Sequence, residues 1–284
     1  MTFLEHLEEL RWHLIRITLA ILIVGIVVFI YVREFTDQIL LAPYSSDFPT
    51  HQLLCELDPS VCFNNSPLSE AGFSTSPKSF YFQANSPTEE FMRAMVVAFF
   101  AGLVVTFPYT CWELWRFIKP GLRSKEIRAA RGFVFFTSLL FASGIVFAYY
   151  VVVPFSVSFL TNFSISENVV KLWKISDVIE LIVLICLTGG ILFQLPVLAF
   201  FLSRIGIVTP QLMRSYRRHS IVGIFVISAI LTPADVMSQI VLAAPLLILY
   251  EMSIFISSYV YKQKAKEELE EIKKMREANL SNSQ

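Results

Sequence analysis

The chain carries little charge for its length: Asp, Glu, Lys and Arg make up 16% of 284 residues, where soluble domains carry about 25%. Histidine and cysteine are scarce, at four each. No H-E-x-x-H, G-x-S-x-G or glycine-rich phosphate loop occurs, which removes the usual metalloprotease, serine-hydrolase and nucleotide-cradle readings. A protease buried in a membrane would need a nucleophile beside a base, and none is so placed. The sequence therefore predicts no enzyme, no metal and no cofactor. Its net charge is zero, with opposite charges segregated by segment, and no nucleic-acid partner is implied.

In place of charge there is apolar mass. Hydrophobic residues make up 55% of the chain, with 26 Phe and a mean hydropathy of +0.61, beyond what a soluble domain tolerates. A bilayer crossing needs roughly 20 mostly apolar residues. Candidate spans lie at 14–32, 91–112, 132–153, 177–203, 219–231 and 236–256, giving an all-α polytopic membrane protein with six transmembrane helices. They form one domain over 1–261, followed by a charged tail over 262–284 that reads as a solvated helix. The fifth and sixth spans read as short, the fifth holding only 12 residues between Ser220 and Leu231. The first has an acidic flank, an overlong apolar run and no A-x-A-like site, so it reads as a true span rather than a signal peptide.

Basic residues set the orientation, because Lys and Arg in short loops favour the cytoplasmic side. With both termini inside, the cytoplasmic segments hold 18 of the 23 basic residues, leaving only Arg33, Lys78, Arg93, Lys171 and Lys174 outside. The outer segment 43–90 is rich in Ser, Pro, Asn and Thr and carries Cys55 and Cys62. In an oxidising compartment these form a disulfide, with two free thiols as the alternative. At its end, Ser86-Pro-Thr-Glu-Glu90 reads as the start of the second span.

The N-terminal segment Phe3-Leu-Glu-His-Leu-Glu-Glu-Leu-Arg11 places Glu5, Glu8 and Glu9 at the membrane surface, on a helix continuous with the first span. Glu5 and Glu9 share one face, a like-charge pair that is mildly destabilising unless a cation sits opposite. The arrangement suggests a membrane-embedded receptor for basic peptides; a merely solvated face is the alternative. In the fourth span Gly189-Gly190 reads as a flexible pair before the helix-kinking Pro196, with Gln194 near mid-membrane. A secondary transporter or channel subunit for a small solute shares such broken helices and intramembrane polar groups, although no inverted repeat is apparent.

Three stretches carry a family resemblance: His6-Leu-Glu-Glu-Leu-Arg11, Trp115-Arg-Phe-Ile-Lys-Pro-Gly-Leu122 and Leu231-Thr-Pro-Ala-Asp-Val-Met-Ser-Gln239. With the order and spacing of the spans, the chain resembles the TatC family, the signal-peptide receptors of the twin-arginine translocase. The resemblance implies a cup-shaped bundle in the bacterial inner membrane that binds twin-arginine signal peptides of folded cargo. It also implies small single-span TatA- and TatB-like partners, further copies of the chain itself, and transport driven by the proton-motive force. Glu9 matches the acid of the family's N-terminal motif, and Glu126 the acid six residues beyond Pro120; in the family these contact the arginine pair. Leu7, Arg11 and Phe117 carry over beside them, as do Pro43 and Asp235, which read as structural positions, Asp235 as a first-turn or N-cap acid. The family often has glutamate where this chain has Gln194, so an ionisable group is missing there; the amide could serve a partner helix or simply helix packing.

Overall fold

The computed structural model describes residues 3–45, 48–50, 52, 82–84, 86–119, 132–162, 173–232 and 236–281. Among them, five helical stretches are long and apolar enough to cross a membrane: Glu8–Ile30, Pro87–Ile118, Phe133–Leu160, Ile175–Ile205 and Ser238–Lys266.

The first helix, α1 (Phe3–Ile30), runs without interruption from the acidic segment into the apolar run. Only 11% of its most apolar window is buried, and Leu19, Ile26 and Ile30 point outward, as lipid contact requires. The second, α2 (Pro87–Ile118), starts where the sequence places it: the Ser86 hydroxyl accepts from the Glu89 amide at 3.3 Å, Pro87 opens the first turn, and Glu89 and Glu90 sit at its positive end. The two helices pack antiparallel. Phe29 meets Phe91 edge-on at 6.0 Å, and midway along the pair Gly102 lies directly against Ile21 and Gly25.

The third crossing consists of α3 (Phe133–Phe147), a π-turn at Ala148–Val152 and α4 (Val153–Asn162). The fourth is α5 (Ile175–Leu192) and α6 (Leu195–Ile205), broken by a turn at Phe193 and Gln194 because Pro196 occupies the first turn of α6 and cannot continue the ladder. Glycines decide how α3 and α5 meet. A Cβ on Gly189 would stand 2.7 Å from the Ala148 side chain, one on Gly190 2.8 Å from the Phe141 ring, and one on Gly144 2.7 Å from the Gly189 carbonyl. The Gly189–Gly190 pair, read from sequence as flexible, is instead a close-packing surface, and the hinge lies three to five residues further on.

Two short elements, α7 (Pro210–Ser215) and α8 (Arg217–Leu231), lead to α9 (Val236–Ser281). At the position of the expected fifth span, α8 holds 15 residues and is not among the described helices of membrane-spanning length. The sixth is longer than the sequence reading sets it: α9 continues unbroken for 46 residues, about 69 Å. Beyond the apolar segment no glycine or proline interrupts it, so it passes straight into the Lys/Glu-rich stretch. The core lies among α3, α4, α5 and α9, where Val152, Val153, Val157, Ile182 and Leu246 are fully buried. At the far side from the N-terminus, a two-residue parallel ladder pairs β1 (Phe82–Gln83) with β2 (Trp173–Lys174), and Tyr44 packs edge-on against Phe82 and Trp173.

Candidate functional site

The polar groups most demanding of explanation gather where α1 and α2 meet on the N-terminal side. Tyr109, Glu113 and Phe117 recur every four residues on α2 and so share one of its faces. Glu113 is fully buried (1% exposed) inside a helix of membrane-spanning length. An unpaired carboxylate there would be strongly destabilising, and both of its oxygens are engaged. His13 on α1 donates from Nδ1 to Oε2 at 2.5 Å, and the Tyr109 hydroxyl donates to Oε1 at 3.0 Å. The Phe117 ring closes the other flank, edge-on to His13 at 6.0 Å.

Beyond this cluster α1 opens out. Glu8, Glu9, Arg11 and Trp12 are all exposed, and Glu9 has no partner among the described residues. The antiparallel register that sets Phe29 beside Phe91 and His13 beside Glu113 brings Glu9 level with Phe117 when carried one turn further. Phe117 is half-buried and lies two residues short of the loop that follows α2. The end of α2 is fixed by aromatics, with Trp115 against Phe133 at 5.0 Å and Phe133 against Phe201 at 4.9 Å. The Arg116 guanidinium lies over the Trp112 ring at 5.8 Å.

Of the residues singled out from sequence, Glu9 and Arg11 lie in the exposed N-terminal turns of α1, and Phe117 lies beside His13 near the end of α2. Leu7 lies in α1, its side chain outside the described set, and Glu126, Asp235, Cys55 and Cys62 lie outside the described residues. Pro43 is buried in the turn Ala42–Tyr44. Gln194 sits at the break between α5 and α6, against α3. Its Nε2 donates to the Thr137 carbonyl at 3.2 Å, while Oε1 is buried with no partner among the described residues. His13 and Glu113 were missed by the sequence reading. The signal was present, since an acid inside Cys111-Trp-Glu-Leu-Trp115 within a span requires a partner.

Fold and polar placement together define a multi-pass all-helical membrane protein that presents an acidic helix mouth. The chain belongs to the TatC family, since the family model described as Sec-independent protein translocase protein (TatC) matches residues 5–245. It is 34% identical over 271 residues to the TatC of Blattabacterium sp., covering 93% of this chain and 97% of that one. It is 31% identical over 266 residues to TatCy of Bacillus subtilis, covering 94% and 92%. The crystal structure of the twin arginine translocase receptor TatC superposes with a TM-score of 0.65 at 29% identity, over 90% of this chain and 99% of that one. The chain is thus a core subunit of the twin-arginine protein translocase, and the small-solute transporter reading falls away.

Proposed function

We propose that this chain is the receptor subunit that reads the arginine pair of a signal peptide at the α1 mouth. The observation that supports this most directly is the exposed carboxylate of Glu9, without a partner among the described residues and one turn before His13, which packs on Phe117 near the end of α2. Guanidinium binds carboxylate through two parallel hydrogen bonds in a fixed plane, which an ammonium cannot reproduce, so two carboxylates prefer arginine to lysine. Leu7, Arg11 and Phe117 enter this reading as the neighbouring positions that match the family motifs.

Two carboxylates do not suffice for affinity. Hydrogen bonds to charged groups contribute about 1.5–3 kcal/mol, while micromolar binding needs roughly 8 kcal/mol. The remainder comes from the peptide's apolar segment against the lipid-facing helices, at about 25 cal/mol per Å² of area removed from water. Arginine contacts then confer specificity and register. In this reading the protein resides in the bacterial inner membrane with both termini cytoplasmic. It assembles with TatA- and TatB-like single-span subunits and with other copies of itself, uses Gln194 toward a polar partner helix, and depends on the proton-motive force.

The test is a titration of a labelled twin-arginine peptide and its twin-lysine version against the protein in nanodiscs, repeated with Glu9→Ala and Glu126→Ala. Arginine-selective binding that falls about tenfold or more in either variant is expected. Equal binding of both peptides by the unaltered protein overturns the receptor reading.

A further inference from the structure

Among the contacts that hold α1 to α2, three differ in kind. Phe29 meets Phe91 through ring edges, Gly102 meets Ile21 and Gly25 through bare backbone, and His13 meets Glu113 through a hydrogen bond between two buried or nearly buried polar groups. The first two lie at mid-helix and toward the far end of α1, three or more turns from Glu9. The third is directional, and it is the last polar clasp before the exposed turns that carry Glu9.

Stability alone gives little reason for such a pair. Replacing a buried ion pair by apolar residues of similar volume is often neutral or stabilising, and the best-attested role of buried polar pairs is to specify register. Here the register matters, because Glu9 and His13 lie four residues apart on one face of α1, so the rotation fixed at His13 is the rotation seen at Glu9.

We propose that His13 and Glu113 act as a positioning clasp that aims the Glu9 carboxylate, and that the clasp sets the preference for guanidinium over ammonium rather than the total affinity. The inference rests on the receptor reading of Glu9. Its physical basis is the difference in what the two cations demand. A bidentate guanidinium–carboxylate contact requires coplanarity and tolerates only about 10–20° of misalignment. An ammonium is a compact charge that accepts almost any approach. Loosening α1 therefore removes the arginine advantage while leaving lysine-level attraction in place. A contact that merely held the helices together would lower binding of both peptides alike. Tyr109 takes part by occupying the second Glu113 oxygen, which leaves Oε2 facing His13.

The test uses the full chain in nanodiscs with its four native cysteines replaced by alanine and nitroxides attached at Trp12→Cys and Ile118→Cys, two exposed positions on either side of the clasp. Label distances are read without peptide, and twin-arginine and twin-lysine peptides are then titrated. The parent is expected to give a narrow distance distribution. His13→Ala and Glu113→Ala should broaden it and cut the arginine-over-lysine ratio about tenfold, with lysine-peptide affinity retained. Glu113→Gln keeps an acceptor for the Nδ1 hydrogen and should preserve both readouts, which also guards against an alanine variant that fails to fold. An unchanged distribution in both alanine variants overturns the proposal, as does a broadened one with the ratio intact. A parent without arginine preference removes the receptor reading and the link to recognition with it, while the label distances still decide whether the clasp holds α1.

Discussion

The bare Cα of Gly102 on α2 lies against the main chain of α1 at Ile21: a Cβ there would stand 2.8 Å from the Ile21 carbonyl oxygen and 3.1 Å from the Gly25 nitrogen. Both obstructing atoms belong to backbone, so no side chain can swing aside. Apolar helices gain nothing by hiding from lipid tails and associate through close packing instead. Gly102→Ala is therefore expected to destabilise the protein by about 1–3 kcal/mol through overpacking. Gly223, with nothing within 4 Å of its would-be Cβ, is the matched control. Gly223→Ala should be neutral or gain up to about 1 kcal/mol from helix propensity. Thermal unfolding in detergent, followed by loss of the monodisperse peak, separates the two; equal losses would refute the contact.

Gln194 donates to the Thr137 carbonyl across the α3–α6 contact. Interhelical hydrogen bonds of this kind in membranes average about 0.6 kcal/mol and reach about 1.7 kcal/mol. Gln194→Leu should thus cost no more than about 2 kcal/mol and leave the helix break in place, because Pro196 makes the break. Gln194→Glu should be worse than Gln194→Leu, since it replaces the donating amide with an acceptor aimed at another acceptor. The same unfolding assay checks the ranking, and a glutamate variant as stable as the parent would contradict the described hydrogen bond.

What sequence could reveal here followed from how local each signal is. The five long apolar helices were legible because hydrophobic length is a property of contiguous residues, and the start of α2 because Ser86, Pro87 and Glu89 act within one turn. Glu9 at an exposed mouth was legible from its place ahead of an apolar run, and the exposure is observed. The His13–Glu113 pair was not, because its partners are 100 residues apart and nothing local to either names the other. Gly189 and Gly190 were misread as flexible because a glycine's role depends on what faces it, here Ala148 and Phe141 from another helix. The tail was legible as a helix from its Lys/Glu spacing; what escaped was its continuity with the sixth span, because chain polarity changes there without any breaker.

Ion pairs divide by setting. Arg217 and Glu251 join α8 to α9 at 2.8 Å, yet their side chains are 48% and 43% exposed. Exposed pairs of this kind contribute about 0–1 kcal/mol. Glu251→Gln should accordingly shift stability by less than about 1 kcal/mol and do so least at high salt, where screening has already weakened the pair. Glu113→Ala, which leaves His13 without its acceptor in a buried site, should cost about 3 kcal/mol or more. Unfolding of the two variants side by side at low and high salt checks the contrast, and comparable losses would show that burial does not separate these pairs.

The short α8 makes a demand on the bilayer itself. Its 15 residues extend about 22 Å, while the hydrocarbon core is about 30 Å thick. Tilting shortens a helix's reach further, so it cannot relieve the mismatch. Val222, Val226 and Ile230 recur at four-residue spacing on one exposed face and must meet lipid. Arg217, Arg218 and His219 crowd its exposed start, where they anchor it to headgroups and prevent it from sinking to the midplane. The remaining remedy is a thinner bilayer beside α8. Nitroxides at Val222 and Ile230 should both report depths closer to the two aqueous faces than a bilayer of normal thickness allows. Inserting four apolar residues after Ile227, which adds about 6 Å, should move them deeper. Normal thickness beside the unaltered helix would show that α8 does not bridge the membrane by itself.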